Sequence, residues 1–240
     1  IADPLRVYGD DAPLLGGLDI LAGIGLNVTG ALTTEYSDNV ARTSGGQPSN
    51  SRYKSKDDWI FRPSVTLSGG RPLGRQQVFF TTSVGRDFFA RNGLLNRNRF
   101  SADGGLSWAL GTRCGGRVQG GYSTRGTQFG TFEEVIPSTQ ERSNFLASAN
   151  CRTWTGISGN ISYNRNKTVN RTDDPAGEID RSFANVKSHG FSGGVGYPIA
   201  GRGEVGVQGN WSSQEFPNQP LATGGLNGSE FYGVNGFANY

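Results

Sequence analysis

The chain alternates. Between residues 99 and 163 every second position is apolar or small: Phe100, Ala102, Gly104, Leu106, Trp108 and Leu110, then Val118, Gly120 and Tyr122. Phe145, Ala147 and Ala149 continue the pattern, followed by Ile157, Gly159, Ile161 and Tyr163. The positions between hold Ser101, Asp103, Ser107, Arg117, Gln119, Asn144, Ser148 and Asn150. A period of two gives a β-strand one apolar and one polar face. This stretch therefore predicts four amphipathic strands.

The same pattern extends in both directions. Residues 23–37 put Ile24, Leu26, Val28, Leu32 and Tyr36 on one face and Asn27, Thr29, Thr33 and Glu35 on the other. Residues 58–69 oppose Trp59, Phe61, Val65 and Leu67 to Arg62, Ser64, Thr66 and Ser68. Pro63 sits inside that strand, where a missing N–H implies a local irregularity in pairing. Residues 76–88 oppose Val78, Phe80, Thr82 and Val84 to Thr81, Ser83 and Asp87. An eighth strand carries Phe191, Gly193, Val195 and Tyr197, a ninth carries Val205, Val207, Gly209 and Trp211, and a tenth ends at Tyr240.

The connections alternate in length. They are short near 70–75, 111–114, 152–154 and 198–203, and long near 38–57, 89–98, 126–141, 165–182 and 215–228. Stripes of about 9–11 residues suit a tilted transmembrane strand. Short turns on one rim and long loops on the other are the arrangement of bacterial outer-membrane barrels, with the short turns periplasmic. The expected fold is all-β: an antiparallel up-and-down transmembrane β-barrel of about ten strands over residues 18–240, after an irregular lead-in at 1–17. An even strand count places both ends of the barrel wall on the periplasmic side. Trp108, Tyr163, Tyr197, Trp211 and Tyr240 are expected at strand ends, as an aromatic girdle. The competing fold is a soluble β-sandwich binding module, whose strands also alternate.

Composition favours the barrel. The 240 residues include 38 Gly and no Met, and only 34% are hydrophobic although 11% are aromatic. A soluble β-domain of this length would need more aliphatic residues for its core. A barrel with a polar interior and an apolar outer band does not. The region 14–28 is interrupted by Asp19, Asn27 and several glycines, so no helical span is expected. Residues Ile1-Ala2-Asp3-Pro4 do not read as a signal peptide, so an exported protein would be met here in its mature form.

Charge and chemistry-bearing residues change the picture only slightly. The net charge of +3 is too diffuse to suggest nucleic acid. Glu35, Arg62, Asp87, Arg99, Asp103, Arg117 and Glu204 share the polar stripe and are the expected lumen-lining charges. In a barrel of about ten strands side chains nearly fill the interior, so a narrow or closed lumen is expected. Cys114 and Cys151 share the parity of the apolar stripe at the short-turn ends of neighbouring strands. A disulfide there requires a Cα separation of about 4.4–6.8 Å and an oxidising compartment such as the periplasm. His189, the single histidine, shares the parity of Phe191, on the outward face near the loop rim, and so points away from the lumen rather than serving catalysis. The pairs Asp10-Asp11, Asp57-Asp58 and Asp173-Asp174 lack the spacing of a calcium loop and read as solvated charge. Gly115-Gly116 and Gly193-Gly194 precede no helix and are not phosphate cradles. No catalytic residue, metal site or cofactor is expected.

Two segments carry a family resemblance. Thr34-Glu35-Tyr36-Ser37-Asp38-Asn39-Val40-Ala41-Arg42-Thr43 is followed by Lys56-Asp57-Asp58-Trp59-Ile60-Phe61-Arg62-Pro63-Ser64-Val65-Thr66-Leu67. Together they resemble the opening strands of the β-barrel porin-type outer-membrane protein family of proteobacteria. The resemblance implies a barrel in the bacterial outer membrane, often encountered near capsule or exopolysaccharide export functions. It implies the lipid bilayer and lipopolysaccharide as surroundings, and other envelope proteins or surface polysaccharide as partners. It supplies no catalytic residue. Family members are longer, and Asn235 stands where a glycine usually precedes the terminal aromatic. The functions this leaves are a structural, surface-interaction or passive transport role, or that of an accessory barrel subunit in a larger envelope complex.

Overall fold

The computed structural model describes residues 15–18, 25–40, 54–131, 134–172, 182–199, 203–218 and 227–239. Eleven strands form among them: β1 (Leu15–Leu18), β2 (Leu26–Ser37), β3 (Asp58–Leu73), β4 (Gln76–Phe89), β5 (Arg97–Leu110) and β6 (Cys114–Thr131). They continue as β7 (Glu134–Arg152), β8 (Ser158–Thr172), β9 (Val186–Ile199), β10 (Gly203–Glu215) and β11 (Gly228–Asn239). Each strand pairs antiparallel with its sequence neighbours, so the sheet is a single meander in the order β1 to β11. Among the described residues no helix is long and apolar enough to cross a membrane.

The ten long strands match the ten expected ones, and β1 is an addition. Leu15-Gly16-Gly17-Leu18 lies across the boundary expected at residue 18. Its two central glycines hide any alternation, and its pairing with β2 contains an irregularity between Leu15 and Leu18. The expected closure into a barrel is not seen among the described residues: nothing there joins β11 back to β1 or β2.

Two expected loops are strand instead. The segment 126–141 belongs to a hairpin whose pairing runs from Cys114↔Cys151 to Thr131↔Glu134. This hairpin rises past β5, whose pairing with β6 stops at Phe100↔Thr124. The segment expected as a loop from 165 is the second half of β8, paired with β7 as far as Thr172 and with β9 as far as Thr168.

Register makes the two faces continuous. Val65 lies opposite Val84, and Val84 opposite Phe100. Tyr163 lies opposite Phe191, Phe191 opposite Trp211, and Trp211 opposite Tyr232. Every strand from β2 to β11 exposes at least one large apolar residue. By contrast, only Val40, Ile60 and Leu95 are buried hydrophobics among the described residues, clustered with Phe89 at the long-loop rim. Among the described residues no second layer covers the apolar face, where a two-layer fold would put its core.

Local chemistry fits this geometry. The turns after β3 and β5 use Gly74 and Gly111 at φ 67° and 61°, a left-handed conformation that other residues adopt only with strain. Pro63 acts as expected: β3–β4 pairing lapses at Arg62 and Pro63 and resumes at Ser64↔Gly85 in the same register.

Candidate functional site

All seven charged residues expected to line the lumen have the parity opposite to the apolar face. Four of them, from four successive strands, form a ladder of alternating sign. Glu35 on β2 pairs with Arg62 on β3. Arg62 Nε lies 3.6 Å from Asp87 Oδ1 on β4, and Arg99 Nε on β5 lies 2.9 Å from the same oxygen. Asp87 retains 18% of its side-chain exposure, so its contacts are less screened than those of a surface pair. The ladder crosses the site where Pro63 interrupts backbone pairing, so side-chain charge bridges β3 to β4 where main-chain hydrogen bonds are missing.

The other three charges join different neighbours. Asp103 stands opposite Gly121, with its carboxylate over the space a side chain there would occupy. Arg117 lays its guanidinium 4.3 Å above the ring of Phe79, an apolar residue on the face that carries the charges. Phe79 in turn covers Gly105, its cross-strand partner. Aromatic rings over strand glycines restore the packing that a missing side chain would forfeit. Glu204 accepts a hydrogen bond from Ser158 Oγ. It lines a polar groove on the same face, with Asn150, Arg152, Asn160, Gln208 and Phe237.

The cystine is formed between Cys114 and Cys151. The residues are directly opposed, at the first position of β6 and the penultimate position of β7. Arg152 N donates to Arg113 O at 2.8 Å, which makes the cysteines a pair without backbone hydrogen bonds of its own. That closer spacing accounts for a Cα separation of 4.1 Å, just under the expected range.

The aromatic residues divide. Trp108 and Tyr197 lie two residues from the short-turn ends of β5 and β9, and Trp108 packs over Gly116. Tyr163 and Trp211 are not at strand ends but inside β8 and β10, because those strands continue past the apolar band. With Phe191 and Tyr232 they form one cross-strand row. Tyr240 lies outside the described residues. His189 Nδ1 is 2.9 Å from Tyr163 Oη on the apolar face.

The long-loop rim holds a polar knot that the sequence did not reveal. Asp58 is 1% exposed, and its carboxylate accepts from Arg91 N at 3.0 Å, Asn92 N at 2.8 Å and Asn92 Nδ2 at 3.0 Å. Asn92 Oδ1 accepts from Lys54 N at 2.9 Å. Asp57, beside it, pairs with Arg91 at 2.8 Å. Ser55 Oγ donates to Asp57 at 2.6 Å and, more than any other neighbour, holds its carboxyl below the ordinary value. Asp57 and Asp58 thus tie the β2–β3 connection to the β4–β5 connection. The pairs Asp10-Asp11 and Asp173-Asp174 lie outside the described residues.

A recurrent device appears at two long connections. Single 3-10 turns at Gly93–Leu95 and Ser182–Ala184 each end in an asparagine, Asn96 and Asn185. Asn96 Oδ1 accepts from Phe89 N at 2.8 Å, and Asn185 Oδ1 accepts from Asn170 N at 2.6 Å. Each side chain closes the end of the preceding strand.

Comparison with protein-family models, with curated proteins and with solved structures returns no match.

Proposed function

We propose that this chain is the wall of a bacterial outer-membrane β-barrel, with the apolar face toward lipid and the charged face toward a narrow interior. One observation carries the reading: ten long strands present an exposed apolar face opposite a polar face that, on β2 to β5, carries a ladder of paired charges. On β4 the exposed apolar residues run from Val78 to Phe88, interrupted by Thr82 and by Arg86, whose guanidinium lies over the Phe88 ring. Ten residue steps at about 3.4 Å span about 34 Å, or about 26 Å along the membrane normal at a tilt near 40°. That matches the apolar band of about 25 Å found on such barrels. A bilayer tolerates no open sheet edge, so this reading requires the free edge of β11 to be paired in a closed barrel. The short connections then lie on the periplasmic side, where a cystine persists, and the long ones outside.

The role is structural, surface-interacting or passively transporting, linked to surface polysaccharide export by the resemblance of residues 34–43 and 56–67 to the porin-type family. It is non-enzymatic: His189 points outward and its Nδ1 is engaged by Tyr163. The test is extraction and gel migration, followed by conductance in planar bilayers. A membrane barrel requires detergent and migrates differently before and after boiling; a chain soluble without detergent overturns the reading. Stable single-channel steps identify a transport role. A silent bilayer favours the second reading, an accessory envelope subunit with a closed lumen, which the ladder Glu35–Arg62–Asp87–Arg99 across the interior supports.

A further inference from the structure

β8 and β9 carry a cationic cluster on the apolar face. Lys167 lies directly opposite Lys187, and Arg165 opposite His189. All four share the parity of Ile161, Tyr163 and Phe191 and so continue the outward face toward the long loops. Like charges directly opposed across a strand pair are destabilising. Even so, among the described residues Arg165, Lys167 and Lys187 have neither an ion pair nor a side-chain hydrogen bond. The nearest acids on this face among the described residues are committed or offset. Glu141 is held by Arg171 at 3.0 Å, and Glu215, opposite Lys187 on β10, forms no ion pair with it.

The cluster sits just beyond the row Tyr163–Phe191–Trp211–Tyr232. Arg165 is one pair and Lys167 two pairs past that row on β8. Apolar wall below, aromatic row at the boundary and unneutralised cations above are complementary to an amphiphile with acyl chains and an anionic head. Opposed Cβ atoms about 5 Å apart let Lys167 and Lys187 grip one phosphate from two sides, with Arg165 about 7 Å along the strand as a third donor.

We propose that Arg165, Lys167 and Lys187 bind a phosphate of the lipid A headgroup of lipopolysaccharide lying against the barrel wall, an inference that rests on the membrane reading above. The like-charge pair is then stable because the bound phosphate neutralises it.

The test uses the detergent-solubilised chain and lipid A, with retention measured by native mass spectrometry. Wild type should bind bis-phosphorylated lipid A at least tenfold more tightly than dephosphorylated lipid A. The triple variant R165Q/K167Q/K187Q should lose that preference. R71Q, which removes an outward cation near the short-turn rim, should keep it. Retained boiling-sensitive migration shows that the triple variant is folded. A folded triple variant that still prefers the phosphorylated lipid overturns the proposal and leaves the membrane reading intact. Inorganic phosphate displacing lipid A at submillimolar concentration assigns the site to free phosphate and overturns the lipid as its ligand. A wild-type chain that is soluble without detergent overturns both readings together.

Discussion

Breaking the Cys114–Cys151 bond should lower stability by about 2–4 kcal/mol without changing the fold. The bond closes a loop with a sequence separation of 37. Loop-closure entropy for that length gives about 4 kcal/mol at 25 °C. A denatured chain that keeps part of the β6–β7 hairpin would already resemble the closed loop, which moves the value toward about 2 kcal/mol. The native state should hardly notice the loss, because hairpin pairing continues without the bond from Gly115↔Asn150 to Thr131↔Glu134. The assay is urea unfolding of the detergent- or lipid-reconstituted protein, comparing oxidised wild type, reduced wild type and C114A/C151A. With a urea slope of about 2 kcal/mol per M, the midpoint should fall by about 1–2 M. Reduced wild type and the double variant should agree. A midpoint shift under about 0.25 M in both would refute the reasoning, since the bond would then constrain nothing that unfolding releases.

The remaining predictions concern side-chain contacts at the charge ladder and the loop rim. D87N should cost about 1–2 kcal/mol, because Arg99 and Arg62 lose a half-buried carboxylate; a double-mutant cycle with R99Q should show coupling near 1 kcal/mol, and strict additivity would mean that the ladder holds nothing. D58N should cost about 2–4 kcal/mol, since one amide oxygen cannot replace a buried carboxylate that accepts three bonds; hydrogen exchange at the amides of Arg91 and Asn92 should quicken, and unchanged exchange there would count against it. Asp57 has a folded-state pKa below its ordinary 3.8, so its stabilisation is present above that value and is lost as pH falls through the depressed one. Protease sensitivity of the rim should therefore rise only under strong acid, and S55A should move its onset to higher pH.

Alternation identified strands wherever one face is apolar and the other polar. It failed where a strand is polar on both faces, and the reason is physical: beyond the apolar band nothing selects apolar residues. Asn164-Arg165-Asn166-Lys167-Thr168 therefore looks like loop, although it is fully paired. Parity placed Glu35, Arg62, Asp87, Arg99, Asp103, Arg117 and Glu204 on one face, but which of them meet depends on register. Asp87 reaches Arg99 because Asp87 is opposite Arg97, one diagonal step away. The buried Asp58 gave no signal beyond its place before Trp59. The Asn96 and Asn185 devices did leave a trace, since each asparagine ends a short turn just before a strand.

If the sheet is the membrane wall proposed above, the cystine at the foot of the β6–β7 hairpin has a consequence for biogenesis. Once Cys114 and Cys151 are joined, the residues between them are a covalent ring. A ring cannot be threaded into a bilayer one strand at a time. An oxidised chain has to insert β6 and β7 together, tip first, with the sulfur bond trailing. The order of oxidation and insertion thereby becomes a checkpoint in assembly.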